Sequence, residues 1–263
     1  MAKLKIPAAT IAKRRIDYWS RFLAWLDKKA DSRWVFRGLG DASFDLIPSA
    51  GRGDYSLLKE RAVLETFERR AAEFLNLYQM SEWDRLALAQ HHGLPTRLLD
   101  WTTNPLVAAY FAVTSSPGAR PMKPLDAEGR AKRSPLNGVP GLESATARIT
   151  AVKVPSRMIV NPLTDQDPFD RIDVGFVLPR SITTRIVTQG GIFSCHPRPN
   201  QPWTEPFKEA INRFDVPGDL RNYFRRRLFY LGVDPQRIMS GLDGLGARLA
   251  WQYQSDIGLG AVR

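Results

Sequence analysis

The chain has 263 residues, of which 43% are hydrophobic and 25% are charged, ordinary values for a globular protein that can bury a sizeable core. No apolar run reaches the length of about 18 residues that a membrane span needs, and a single cysteine excludes an internal disulfide and a CxxC-type metal site. The net charge of +11 suits a phosphate-rich or acidic partner, although solubility alone accounts for it equally well. Because the first residues lack the apolar core of a secretory signal, we expect a cytoplasmic protein with no membrane partner.

The first half of the chain is predicted to hold four helices and two short strands. Ser81 and Asn104 are the expected N-caps of two of these helices, and Pro105 takes the first helical position of the second. Glycines at 38 and 40 are expected to end the first strand. The predicted order is helix 10–30, strand 34–36, helix 56–79, helix 82–92, strand 96–99 and helix 105–114.

Residues 115–145 are rich in proline, glycine and basic residues without periodicity, and we expect a mobile excursion there, loosely packed at the rim of a pocket. After it, an apolar helix face is predicted opposite Arg221, Arg225 and Arg226, and a short helix opens at Asp234. Strands are predicted at 147–154, 174–178 and 183–187, and a further strand begins at Phe193.

This order of elements favours one α+β domain with a small β-sheet core and helices at both ends, rather than a parallel βαβ array. We expect residues 1–30 to form an N-terminal helical arm and residues 31–263 to form the domain itself.

The tripeptide Phe36-Arg37-Gly38 places an arginine at the end of the first predicted strand. Such an arginine can form a bidentate clamp on a phosphate or a carboxylate, and a glycine beside it allows close approach of a ligand to the backbone. The alternative is a structural arginine paired with an internal acid.

The stretch from Ala89 to Val113 joins polar residues to an apolar helix. Gln90 and His91 fall in the last turn of a helix, where the dipole favours a protonated imidazole. Arg97 and Asp100 are three apart and should face opposite sides of a strand, so they are not expected to pair. Asp100, Trp101 and Thr102 lie where that strand should end, and Trp101 could stack on a planar ring.

The alternative for this stretch is a polar network that locks a strand to a helix. The following apolar helix is expected to be buried nearly all round, and we assign no chemistry to it.

Other catalytic and metal-binding signatures are weak. Cys195 and His196 are adjacent and point to opposite faces of a strand, which argues against a nucleophile–base pair. Three histidines and one cysteine without a metal-ligand spacing predict no metal site, and the chain has no P-loop.

Several blocks together resemble the FRG domain family, named for its Phe/Tyr-Arg-Gly motif. They are "FRG" at 36–38, "LIPSAGR" at 46–52, the stretch 89–112, "RIVTQGGIF" at 185–193 and "LDGLGARL" at 242–249. The order of these blocks also resembles, remotely, that of ADP-ribosyltransferases. In that family, an aromatic-Arg motif on a first strand holds NAD, a polar strand leads into an apolar helix, and a late strand carries a catalytic Glu.

This resemblance implies an ADP-ribosyltransferase-like fold and an NAD-dependent transferase, a toxin or phage-defence effector that modifies a macromolecular target such as a nucleic acid. NAD would be the substrate, no metal is expected, and an antitoxin or regulatory protein is a candidate partner. Gln189 stands where the pattern places Glu, which leaves Asp100 as the nearest acid. The implied catalytic residues are Arg37, His91, Asp100 and Gln189, and the implied NAD-binding residues are Phe36, Arg37, Gly38, Gln90, Arg97, Trp101 and Thr102.

The rival hypothesis is a non-catalytic module with a vestigial pocket that binds a nucleic acid or an acidic partner through Arg221, Arg225 and Arg226. Under the enzyme hypothesis, one pocket should bring Arg37 together with Gln90, His91 and Asp100, although Arg37 is distant in sequence.

Overall fold

The computed structural model describes residues 8–31, 33–52, 59–115, 145–178, 190–255 and 257, and these ranges contain seven α-helices and six strands. The helices are α1 Ala8–Asp27, α2 Glu60–Ala71, α3 Glu82–His91, α4 Pro105–Thr114, α5 Arg221–Tyr230, α6 Pro235–Met239 and α7 Gly241–Ser255. The strands are β1 Trp34–Leu39, β2 Leu98–Thr102, β3 Ala147–Lys153, β4 Gly175–Val177, β5 Gly191–Cys195 and β6 Arg213–Val216.

The six strands form one antiparallel sheet in the order β4-β5-β2-β1-β3-β6, which confirms the α+β prediction. One face of the sheet carries two apolar clusters. Helices α1, α4 and α5 pack over β1, β3 and β6 through residues such as Phe22, Val107 and Phe224, while α3 packs over β2 and β5 through Trp83 and Leu86. Helix α1 thus contributes to the main core.

The predicted caps are confirmed. Ser81 forms a capping box with Asp84, in which each side chain accepts a hydrogen bond from the other residue's backbone N–H at 3.2 Å. The Asn104 side chain accepts from the N–H of Leu106 at 2.9 Å, and Pro105 occupies the first position of α4. Capping residues that can be recognised in the sequence therefore fix the starts of both helices beside the site.

Helix α2 is shorter than the predicted 56–79, of which residues 56–58 lie outside the described residues. Its apolar stripe continues past Ala71, but Phe74 and Tyr78 are 78% and 94% exposed and have no core to enter. The Asn76 side chain accepts a hydrogen bond from the N–H of Tyr78 at 3.0 Å, a local turn that competes with the helix. Periodicity alone therefore overstated this helix.

Two strands beside the site were predicted in the right places but with the wrong bounds. Strand β1 continues through Gly38 to Leu39, and β2 begins at Leu98 and includes Asp100 to Thr102. The strands at 147–154 and 174–178 are confirmed to within about one residue at each end, and Phe193 lies inside β5 rather than at its start. The predicted strand 183–187 lies outside the described residues, and helix α7 was not predicted because its sequence begins with glycines.

Arg221, predicted to lie on the polar face of α5, is fully buried instead. Its guanidinium donates to five carbonyl oxygens, those of Gly40, Ala112, Val113, Ser115 and Ala145, at 2.6–3.3 Å. Three of these carbonyls belong to the C-terminal end of α4. The last carbonyl groups of a helix have no hydrogen-bond partner within the helix. Arg221 therefore caps α4 and joins it to the chain on either side of residues 116–144. The predicted excursion itself falls almost wholly on those residues, outside the described ones.

The other two arginines of the proposed basic face are also engaged. The guanidinium of Arg225 lies 4.5 Å from the Trp251 ring centroid, and burial lowers its pKa to about 10. Arg226 donates to the carbonyl oxygen of Ser255 at 2.7 Å. Arg221 is therefore unavailable to a partner, whereas Arg225 and Arg226 are partly exposed, and their role in the rival hypothesis stays a prediction. No helix among the described residues is long and apolar enough to cross a membrane.

Candidate functional site

A cleft opens where β1 and β2 separate. The two strands are in register at a single pair, Phe36 with Thr102, whereas β1 pairs with β3 at six positions and β2 with β5 at five. A cavity of about 370 Å³ lies beside this gap, between the end of α3 and helix α4. It is lined by Phe36, Arg37, Gly38, Gln90, His91, Asp100, Trp101, Thr102, Ala108, Phe111, Ser115, Gly191 and Phe193. The predicted meeting of Arg37 with Gln90, His91 and Asp100 in one pocket is confirmed as geometry.

Asp100 is the acid of this cleft. It lies in β2 opposite Phe193, and its side chain is 68% exposed. One carboxylate oxygen accepts from Gln90 Nε2 at 2.8 Å, and the other lies 3.7 Å from Arg37 Nη1. Since a carboxylate has about four acceptor sites, Asp100 is held in place and still has lone pairs to offer a ligand.

Arg37 joins the two separated strands. Its Nη1 donates to the main-chain carbonyl oxygen of Asp100, so the side chain makes a link across the gap where the backbone ladder stops. The side chain is only 17% exposed, and burial lowers the pKa of Arg37 while the Asp100 carboxylate counteracts that shift. Among the described residues its Nε is a buried donor without a partner.

Gln90 orients Asp100, and its amide is not itself available to bind a ligand. Its amide nitrogen donates to Asp100, and its amide oxygen accepts from the Thr96 hydroxyl. Both ends of the amide are therefore engaged, and Gln90 acts on a ligand through Asp100. His91 lies in the last turn of α3 at the same rim, where the helix dipole favours a cation.

The ring-stacking role predicted for Trp101 does not fit its position. Its indole is 3% exposed, donates to Ser194 Oγ at 2.8 Å and packs against Phe176 and Trp203 behind the cleft. The aromatic wall of the cavity comes instead from Phe36, Phe111 and Phe193. Phe111 was missed because α4 was treated as pure core. The spacing of Ala108, Phe111 and Ser115, at i, i+3 and i+7, places them on one side of a helix and was the available signal.

Gly38 is required by the packing of α4 on β1. A Cβ on this residue would lie 2.1 Å from the carbonyl oxygen of Ala108 and 2.4 Å from the amide nitrogen of Ala112. Helix α4 therefore rests directly on the β1 backbone, which brings Phe111 over the cleft. Gly38 also lines the cavity, and its predicted role in ligand approach stays a prediction.

Arg97, predicted to bind NAD, is instead part of a buried ion pair. It pairs with Glu60, with Nη2 to Oε2 at 2.7 Å, and its guanidinium stacks 4.3 Å from the Phe169 ring centroid. Its backbone N–H also donates to Glu60 at 2.9 Å. Arg97 does not line the cavity, so the structure assigns it to the fold, and the expectation that it does not pair with Asp100 is confirmed.

Thr102 lines the cavity, and its hydroxyl accepts from the N–H of Asn104 at 3.0 Å, at the entry to α4. Gln189 lies outside the described residues. The adjoining Gly190 has a φ of +58° and accepts from the N–H of Thr103 at 3.0 Å through its carbonyl oxygen. The turn that follows Gln189 is therefore joined to the β2 end of the cleft.

A neutral network lies behind the cleft. Ser194 Oγ is 2.8 Å from His196 Nε2 and also accepts from Trp101. All three side chains are buried, and burial lowers the pKa of His196 to about 3, with Arg37 acting in the same direction. Burial also raises the pKa of Cys195 to about 12. Ser194 and His196 were missed as partners, although residues two apart on a strand share a face. Their burial gives them a structural role.

Among the described residues, no group of three or more His, Cys, Asp or Glu side chains could hold a metal ion. No curated protein and no solved structure matches the chain. Residues 32–119 match the model of the FRG domain, and this segment holds β1 and α2 to α4 with Arg37, Gln90, His91 and Asp100. The match covers about one third of the chain and most of the residues that line the cleft, so this segment is similar to the FRG domain.

Proposed function

We propose that the cleft binds NAD and transfers its ADP-ribosyl group to a macromolecular target. The observation that carries this proposal is the convergence of Arg37, Gln90, His91 and Asp100 at the gap between β1 and β2, above an aromatic wall. A cavity of this volume lies at the lower end of the range of about 300–1,000 Å³ for ligand pockets, which suits one half of a dinucleotide. The resemblance to ADP-ribosyltransferases supports the choice of NAD at the level of sequence blocks only.

NAD supplies an ADP-ribosyl group when the bond between nicotinamide nitrogen and ribose C1′ breaks, the electron pair leaves with nicotinamide, and an acceptor atom bonds to C1′ and loses a proton. Asp100 would supply the carboxylate that stabilises the positive charge developing on the ribose, because its orientation is fixed before the ligand binds. Gln90 donates to that carboxylate and Arg37 Nη1 lies 3.7 Å from it, and both contacts restrict its orientation. Phe111 and Phe193 offer apolar surface to the nicotinamide ring, and His91 in its neutral form would accept the proton that the acceptor loses.

The acceptor is proposed to be a nucleic acid or another anionic macromolecule, because the chain carries a net charge of +11. The proposal includes the toxin or phage-defence role that the resemblance implies, and it predicts that expression is toxic.

The direct test is release of nicotinamide from NAD by wild type, Asp100→Asn and Cys195→Ser. Asp100→Asn keeps the shape and removes the charge, so turnover should fall about 100- to 1,000-fold while NAD affinity in calorimetry changes little. Cys195→Ser is the matched control, because that buried side chain faces the core and should leave turnover and toxicity unchanged.

Absence of calorimetric heat with wild type at millimolar NAD would overturn the NAD proposal. If RNA or DNA then gave a salt-sensitive signal, the non-catalytic binding module would take its place.

A further inference from the structure

The turn at Ser49–Gly51 is fixed to the cleft by a continuous set of hydrogen bonds. The Ser49 hydroxyl donates to the carbonyl oxygen of Thr96 at 3.3 Å and accepts from the N–H of Thr96 at 3.1 Å, and the N–H of Ala50 donates to the same carbonyl at 3.1 Å. Thr96 in turn donates to Gln90, which donates to Asp100. The turn and the acid of the cleft are therefore parts of one network.

The other side of the turn is fixed by close packing. A Cβ on Gly51 would lie 1.8 Å from the carbonyl oxygen of Pro199, so only glycine fits between the turn and that segment. The chain leaves this clamped turn at Arg52, whose backbone N–H donates to the carbonyl oxygen of Ser49 at 3.1 Å. Arg52 thus starts from a rigid base.

The Arg52 side chain is oriented and lies within the electrostatic reach of the cleft. Its Nε donates to the carbonyl oxygen of Ile47 at 2.6 Å. Burial lowers the pKa of Arg52 and the Asp100 carboxylate raises it, while Arg52 lowers the pKa of Arg37. Within the described ranges Arg52 forms no ion pair, so two guanidinium groups share the field of one carboxylate. This corner of the cleft carries excess positive charge.

We infer that Arg52 is a second cationic residue of the cleft, and that Arg52 and Arg37 together bind the diphosphate group of the ligand. The inference rests on the proposed function for the identity of the whole ligand, but its chemistry requires only a diphosphate. Arg37 presents its guanidinium to the cavity that it lines, and Arg52, an exposed residue, has terminal nitrogens that form no hydrogen bond or ion pair within the described ranges. Two planar cations with fixed stems suit phosphate oxygens better than the single charge of a lysine.

The test is calorimetric titration of wild type, Arg52→Ala and Arg213→Ala with NAD, ADP-ribose, inorganic pyrophosphate and nicotinamide riboside. Arg213 is an exposed arginine on β6, the outermost strand, so its variant removes the same charge far from the gap between β1 and β2. Arg52→Ala should weaken NAD, ADP-ribose and pyrophosphate by about 10- to 100-fold and leave nicotinamide riboside, which has no phosphate, unchanged. Arg213→Ala should match wild type with all four.

The outcomes separate the inference from the proposed function. If wild type binds NAD and Arg52→Ala binds it as Arg213→Ala does, the inference is wrong and the proposed function stands. If wild type binds pyrophosphate through Arg52 but not NAD, the inference stands and the proposed function fails. If wild type binds neither, both fail. Should Arg52→Ala be unfolded by circular dichroism, Arg52→Gln keeps the aliphatic stem and is judged by the same criteria.

Discussion

Two arginine–carboxylate pairs from one stretch of the chain differ in what they leave unsatisfied. Arg97 and Glu60 have side chains only 9% and 5% exposed, with Nη2 and Oε2 2.7 Å apart, and the pair is further closed by the stacked ring of Phe169. Arg37 and Asp100 are 3.7 Å apart, and Asp100 is 68% exposed. A closed pair has nothing to offer a ligand and serves the fold, whereas an open pair retains donors and acceptors. Sequence alone gave both arginines the same binding role.

The largest expected effect comes from breaking the closed pair. Glu60→Gln leaves the Arg97 cation buried without a counter-charge, so the free energy of unfolding should fall by about 3–5 kcal/mol. Denaturant unfolding measures this change. Arg85, whose Nε lies 3.1 Å from Glu68 Oε1 in a more exposed pair, provides the control. Glu68→Gln should cost about 1 kcal/mol or less, and equal losses in the two variants would contradict the distinction between closed and open pairs.

Gly38→Ala changes the residue next to Arg37 of the open pair and leaves the closed pair of Arg97 and Glu60 intact. The added Cβ collides with the backbone of α4 at Ala108 and Ala112, and backbone atoms cannot give way as a flexible side chain does. We expect a loss of about 3 kcal/mol, the upper end of the usual cost of overpacking. The same variant should bind NAD more weakly, because α4 carries Phe111. Thermal and denaturant unfolding check the first result, and calorimetry checks the second. Unchanged stability would show that α4 does not rest on β1.

The buried network behind the cleft predicts a dependence of stability on pH. The imidazole of His196 has its pKa lowered by burial to about 3, whereas an unfolded histidine titrates near about 6.5. Between these values the unfolded chain binds the extra proton, so stability falls as the pH drops below about 6.5, by about 2 kcal/mol at pH 5. His196→Gln should remove this contribution to the slope between pH 7 and pH 5. A slope that is unaltered in the variant would contradict the assignment.

The smallest expected effect on stability is that of Asp100→Asn. Because Asp100 is mostly exposed and its pair with Arg37 is long, the change in unfolding free energy should stay below about 1 kcal/mol. Asp100→Asn should therefore lose turnover and keep its stability. Glu60→Gln, measured at the same temperature, should lose stability and keep its turnover. A loss of several kcal/mol in Asp100→Asn would mean that the carboxylate is structural.

Local chemistry determined the parts of the fold that can be predicted from neighbouring residues. Caps at Ser81 and Asn104, Pro105 at a first helical turn and the apolar run of α4 depend on contacts within a few positions, so their signals lie in the sequence itself. The grouping of Arg37 with Gln90, His91 and Asp100 was predictable because each lay near the end of a predicted element, even though the boundaries of β1 and β2 were wrong.

Only the tertiary structure decided which polar side chains face the cleft. Arg97 is bound by Glu60, 37 residues away, and Arg221 caps α4 from 106 to 109 residues away. Such partners are chosen by packing across the sheet, and no local pattern encodes them. The choice between Trp101 and Phe111 as the ring that faces the cavity likewise depended on strand register and on how closely Gly38 lets α4 approach. Sequence determined the inventory of groups and several helix ends, and long-range packing determined which groups remained open to a ligand.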